Sequence, residues 1–301
     1  MIHTSIQLKA LVRNQSHGDS TKAQMIIRSY MMERFLERVS LSPYRENFIL
    51  KGGMLVSALV GLNNRSTMDI DATMKNMPLT TENVEEIVKE VIRIPVEDGI
   101  TFHVKNISEI MEEEEYGGIR LSMEAVLDEM KIPLKLDIST GDAITPREVA
   151  YDYWIMFEKR SIPIMAYNLE TVLAEKLETV LSRGVANTRL RDFYDIHVLQ
   201  DEYGAILDVG DLKKAFTATC RRRGTAEQIP NGWKVMDSIG WDKGMEDLWH
   251  RYQKKFDYAA DIPWDQVMDS IRDLYRTATA ERELGKKDRK TRDPTQKDRE
   301  L

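Results

Sequence analysis

Two short stretches carry residues whose types and spacing suit phosphate and metal chemistry. They are Lys51-Gly52-Gly53-Met54-Leu55-Val56-Ser57 and Arg65-Ser66-Thr67-Met68-Asp69-Ile70-Asp71. A Gly-Gly pair opens a turn in which no Cβ keeps the backbone from a ligand. Residues 54–62 are good helix formers, so the glycines are expected at a helix N-terminus. Unpaired N–H groups and the helix dipole make that end a phosphate seat. Asp69 and Asp71 alternate about Ile70, and on a strand period two turns both carboxylates to one face. Crowded carboxylates repel one another, and a divalent cation such as Mg2+ relieves the repulsion. Singly, a Gly-Gly turn and an Asp-x-Asp are common surface features. Their conjunction at short spacing predicts a phosphate seat beside a magnesium seat.

Farther along, Leu134, Leu136 and Ile138 alternate with Lys135, Asp137 and Ser139. Asp137 therefore faces the polar side of a strand otherwise built for burial, and taken alone is equally an exposed strand carboxylate. Lys176 lies at the edge of the apolar stripe of a helix over residues 168–179, placed either to snorkel into solvent or to meet a triphosphate as a point charge. Arg189 stands three residues before Asp192, a helical spacing that pairs them as a salt bridge between two helices; Asp195 falls on the same side.

These residues need elements to hold them. Helices are expected over residues 2–13 and 22–39, the second capped by Ser20 or Thr21, with Met25, Tyr30, Phe35, Leu36 and Val39 as its apolar stripe and Glu33, Arg34, Glu37 and Arg38 as its wet face. Strands are expected at 48–50, 66–73, 101–107, 118–127 and 132–139, with a helix at 83–93 capped by Thr81. An edge-type segment runs to residue 157, and the pattern turns helical from 168, which puts a domain boundary near 165. Residues 205–276 read as helical, with Phe216, Trp233, Trp241, Trp249, Tyr252, Phe256, Trp264 and Tyr275 mostly in the core. Arg221, Arg222 and Arg223 are expected in an exposed loop rather than on RNA, and the acidic run at 112–115 in a solvated one. The predicted architecture is α/β (α+β): residues 1–165 with a mixed sheet and N-terminal helices, 166–280 a helical domain closing the cleft, and 281–301 a disordered charged tail whose basic part is 286–292.

Composition bounds the function. At 301 residues, 42% hydrophobic and 31% charged, the chain holds two modest cores. A net charge of −7 means that any nucleic-acid contact needs a local basic patch. The single cysteine, Cys220, excludes an internal disulfide and a cysteine-rich zinc site. No apolar run approaches the length of about 18 residues that a membrane span needs, and no signal-type segment opens the chain, so a soluble cytoplasmic protein without a membrane partner is expected.

The order Gly52-Gly53, Ser57, Thr67-x-Asp69-x-Asp71 is similar to the signature of the polymerase-β-like nucleotidyltransferase superfamily. The run Leu169-Glu170-Thr171-Val172-Leu173-Ala174-Glu175-Lys176-Leu177, then Arg183-Gly184 and Arg189-x-Arg191-Asp192-Phe193-Tyr194-Asp195, resembles the AbiEii toxins of type IV toxin–antitoxin and phage abortive-infection systems. Tyr30-x-x-Glu33-Arg34-Phe35-Leu36, Ser42-Pro43-Tyr44-Arg45 and Asp142-x-Ile144-Thr145-Pro146 extend the likeness over residues 22–200. Arg191, where many relatives carry Lys, is the one mild departure, and the last hundred residues match weakly.

The resemblance implies a nucleotidyltransferase taking an NTP as substrate and two Mg2+ ions as cofactors. Some relatives bind GTP and others extend the 3′ end of tRNA. It implies that Asp69, Asp71 and Asp137 hold metal, the last able to take the proton of an attacking hydroxyl. Gly52, Gly53 and Ser57 would cradle the triphosphate, with Lys51, Arg65, Thr67 and Arg189 completing the nucleotide site. Lys176 would contact phosphate, and Asp192 would complete the catalytic set across the cleft. The implied partners are tRNA and a cognate antitoxin encoded nearby, which need not bind tightly. Two rivals stand beside this reading: transfer to a protein or small molecule, and a non-catalytic NTP-binding regulator, which has no need of three carboxylates.

Overall fold

A computed structural model describes residues 2–110 and 117–280; the acidic run at 112–115 and the charged tail at 281–301, with its basic part at 286–292, lie outside the described residues. The apolar alternation of the first half of the chain builds strands β1 (Phe48–Lys51), β2 (Ile70–Met74), β3 (Ile100–Ile110), β4 (Gly118–Leu127), β5 (Met130–Ser139), β6 (Val149–Trp154) and β7 (Ser161–Ala166). They form one sheet in the order β3-β4-β5-β2-β1-β7-β6. The β1–β7 and β2–β5 pairs run parallel and the others antiparallel. Along β4 every second residue is buried, as period two requires of a strand with one face on a core.

Helices α1 (Ser5–Ser16), α2 (Ser20–Leu41), α3 (Gly52–Val60) and α4 (Thr81–Ile92) accompany the sheet. After it come α5 (Leu169–Arg183), α6 (Leu190–Tyr203), α7 (Val209–Arg222), α8 (Gly232–Trp241), α9 (Lys243–Lys255) and α10 (Trp264–Thr279). Helix α5 packs on α6 and α7, α10 packs across α6, α7 and α8, and α6 reaches α3. Phe216, Trp249, Tyr252, Trp264 and Tyr275 fill this helical layer as expected, whereas Trp233 and Trp241 stand exposed at 40% and 85%.

Several expectations are corrected. The N-caps lie one residue early: Asp19 accepts from the Thr21 and Lys22 amides at 2.7 and 3.0 Å, and Thr80 from Asn83 at 3.2 Å. Strand β2 starts only at Ile70, so residues 66–69 are an entry loop. Residues 161–166 form strand β7 where none was expected. Its Pro163 fits because β1 pairs only with Met165 and Ala166, and no ladder bond is asked of the missing N–H.

The supposed wet face of α2 is buried, with Glu33, Arg34, Glu37 and Arg38 all at 5% exposure or less. Partners from distant segments neutralise these charges, as burial demands. Arg38 forks onto Asp98 at 2.8 and 2.9 Å and reaches the Ile100 carbonyl at 2.9 Å. Arg34 meets Glu158 at 3.1 Å and Arg160 meets Glu37 at 2.7 Å. Glu33 accepts from the Met156 amide at 2.8 Å and the Tyr153 hydroxyl at 3.3 Å.

Burial pushes the Glu33 carboxyl from an ordinary 4.5 up to about 7, against the lesser opposing pull of the Met156 amide and the Arg34 charge. A folded pKa above the unfolded one gives stability that is complete below about 4.5 and is lost as pH rises through about 7. Glu33→Gln should therefore gain stability relative to the wild type between pH 5 and pH 8, read from paired urea melts. A difference between the two proteins that does not move with pH would count against this assignment.

Candidate active site

Strand register assembles the site. Arg120 on β4 lies beside Asp137 on β5, Asp137 beside Asp71 on β2, and Asp71 beside Lys51 on β1. Neighbours in register share a face, so four strands present one row whose charges read plus, minus, minus, plus. Asp69, two residues before Asp71, joins the row from the entry loop. Carboxylate oxygens of Asp69, Asp71 and Asp137 lie within 4.8 Å of one another. Burial, then the Asp69 charge and more weakly that of Asp137, push the Asp71 carboxyl up to about 6, while Lys51 and the Gly53 amide oppose the shift.

The glycine pair is needed for a reason beyond ligand approach. Gly52 has φ +64°, and a Cβ there would overlap the Asp71 carboxylate. A Cβ on Gly53 would stand 2.7 Å from the Thr67 hydroxyl oxygen. Helix α3 can thus begin hard against the Asp-x-Asp loop, where the Gly53 amide donates to Asp71. Thr67, itself buried, donates to Asp69 at 3.0 Å and fixes that carboxylate.

Other expected site residues are engaged by the protein itself, and one of them does not reach the cleft. Ser57, expected in the triphosphate cradle, is not among the cleft-lining residues; its hydroxyl donates to the Arg65 carbonyl at 2.5 Å. Arg65 is buried, and its guanidinium forks onto Asp195 at 2.6 and 3.1 Å. Asp195, without exposed side-chain surface, also takes Lys176 at 2.6 Å. Lys176 bonds Asp192 at 2.9 Å, and Asp192 reaches the cleft. Burial alone would lower the Lys176 pKa, but Asp192 and Asp195 outweigh it and raise it above the ordinary lysine value. Burial would likewise raise Asp195, yet Arg65 and Lys176 bring it below the ordinary carboxylate value. Lys51 reaches Asp142 and Ser139, each at 2.7 Å, and Asp142 also accepts from Thr73 at 2.5 Å and Tyr167 at 2.9 Å. Arg189, the residue before α6, lines the cleft opposite the sheet.

The cleft between sheet and helices has a volume of about 690 Å³, within the range of about 300–1,000 Å³ usual for ligand pockets. Ten Lys and Arg side chains line it against five carboxylates, in a chain whose net charge is −7. Sequence reasoning missed six of those cations: Arg120, Lys135, Arg191, Arg223, Arg251 and Lys255. Arg120 and Lys135 occupy polar-face positions of strands already predicted, so the period-two pattern could have found them. Arg251 and Lys255 lie four apart on α9, and nothing local aims them at a cleft. The 221–223 triplet is not a loop but the end of α7. There Arg222 donates to the Gly141 carbonyl at 2.8 Å, and Arg223 bonds Glu178 and Thr179 on α5.

Two neighbouring carboxylates on α6 should behave differently. Asp195→Asn leaves Arg65 and Lys176 under-compensated inside the protein and should cost about 3–5 kcal/mol of stability. Asp192→Asn, at the cleft surface, should cost about 1 kcal/mol. Urea denaturation of the two variants tests this, and equal costs would refute the buried-clamp assignment.

Comparison with known proteins bears on what such a cleft does. A family model described as nucleotidyl transferase AbiEii toxin, type IV TA system, matches residues 34–270. No curated protein matches significantly. Two Helicobacter pylori crystal structures, one of a candidate nucleotidyltransferase and one of JHP933, align with TM-scores of 0.47 and 0.46. Each is 16% identical, over 85% of this chain and 96% and 93% of theirs, a likeness too low to carry function. The family match spans the sheet, the carboxylate row and the helical wall alike, and by it this chain belongs to the AbiEii nucleotidyltransferase toxins of type IV toxin–antitoxin systems.

Proposed function

We propose that this toxin is an Mg2+-dependent enzyme that moves the nucleoside monophosphate of an NTP onto RNA, with the 3′ end of tRNA as acceptor, and so blocks translation. The convergence of Asp69, Asp71 and Asp137 beside the N-terminus of α3 carries this reading. Three carboxylates are hard oxygen donors and suit magnesium rather than a thiolate-seeking ion. Asp69, Asp71 and Asp137 would hold Mg2+ there, and it would supply charge stabilisation to an in-line displacement at the α-phosphate. The rest falls to the chain. Thr67 and the Gly53 amide hold Asp69 and Asp71 in place. Lys176, kept protonated by its two aspartates, meets the polyphosphate as a point charge, and Arg189 faces it from the start of α6. Arg65 and Ser57 act as positioning residues behind the loop. The local excess of cations suits two polyanionic substrates on a chain that is acidic overall.

In this reading residues 1–165 carry the chemistry and 166–280 close over the nucleotide. The cognate antitoxin opposes the activity in the cytoplasm. No helix among the described residues is long and apolar enough to cross a membrane.

Incubating total tRNA, Mg2+ and each labelled NTP with wild type and with Asp69→Ala is expected to label tRNA in the wild-type reaction alone. A preparation that arrests growth yet labels no tRNA with any NTP would sink the tRNA acceptor and turn the search to protein acceptors. Acidity offers a second check. A protonated Asp71 is a poor metal ligand, so transfer at limiting Mg2+ should fall as pH drops through about 6 and should recover with added Mg2+. A flat profile from pH 5 to 8 would remove Asp71 from the metal site.

A further inference from the structure

The carboxylate triad shares its space with two protein cations. Arg120 forks onto Asp137, Nε to Oδ1 and Nη2 to Oδ2, both at 2.9 Å. Lys135, two residues before Asp137 and on the same face, places Nζ 3.3 Å from Asp137 and 3.9 Å from Asp69. Both cations reach solvent at the cleft: the Arg120 side chain is 32% exposed and that of Lys135 37%. Each carboxylate oxygen keeps a second lone pair, so the fork does not bar ligation. It does weaken the field a metal would feel, because two cations stand directly against the three carboxylates.

We propose that Arg120 and Lys135 set the affinity of this triad for its divalent cation and make metal and nucleotide load together. The inference rests on the metal-dependent reading above. A divalent ion arriving alone competes with both side chains for Asp137 and Asp69. A triphosphate brings the negative charge that the two cations need, so they turn to it and the carboxylates are released to the metal. By thermodynamic reciprocity, metal then tightens nucleotide binding by the same factor. A pair that only braced the sheet would behave otherwise, since removing it would loosen the triad and weaken metal binding.

The probe is Mn2+, with free ion counted by its EPR signal, titrated into wild type, Arg120→Gln, Lys135→Gln and Arg120→Lys, with and without a non-hydrolysable NTP analogue. Without nucleotide, the two glutamine variants should bind Mn2+ about tenfold tighter than wild type, the scale of one partly screened unit charge acting on a divalent ion. The tightening caused by the analogue should shrink by a similar factor, and Arg120→Lys should stay near wild type. Glutamine variants that melt like wild type but bind Mn2+ no tighter would overturn the inference while leaving the metal site standing. Mn2+ binding that is indifferent to Asp69→Asn would overturn the metal-dependent reading and this inference with it.

Discussion

The structure turns on a carboxylate that touches no solvent. Asp195 sits between Arg65, on the loop that delivers Asp69, and Lys176, on the helix across the cleft. Without it two buried cations would face each other with less negative charge between them than burial requires. Its influence runs outward through short links. Arg65 is pinned by Asp195, its carbonyl is held by Ser57, and Thr67 two residues on fixes Asp69. Tyr194 and Tyr203 fasten Asp195's own helix to the Asn64 and Leu59 carbonyls, so α6 braces the glycine-to-aspartate connection at two points along its length.

Beneath that clamp, register does the positioning. Arg120, Asp137, Asp71 and Lys51 share a row only because β4, β5, β2 and β1 pair as they do. A slip of one residue would turn a carboxylate to the opposite face. The buried apolar residues that flank Asp137 and Asp71 guard against this: Leu136, Ile138, Ile70 and Ala72 would all have to leave the core together.

Much of the candidate site's placement was legible because it is local. Asp-x-Asp, the Gly-Gly turn and the alternation about Asp137 need only nearest neighbours to be read. The errors arose where a side chain is governed by something remote. Glu33, Arg34, Glu37 and Arg38 look like a solvated face until residues 98–100 and 153–160 cover them. Ser57 looks like a phosphate ligand until the loop returns to claim its hydroxyl. Gly52 was understood in part: its freedom serves a ligand-facing turn, and it also leaves room for Asp71. Asp195 read as a companion of Asp192, and helical spacing cannot tell which of two such carboxylates faces inward.

The wide sequence separation of these contacts bears on when the cleft can be complete in a growing chain. Arg65 and Asp195 are 130 residues apart, and Asp71 finds Asp137 only after β3 and β4 have been laid down between them. Contacts that close such long loops come late in folding. A growing chain on the ribosome therefore has all three carboxylates of the row well before it has the clamp that spaces them from Lys176. The cleft is complete only once α6 has emerged and docked, because Asp195 lies on that helix.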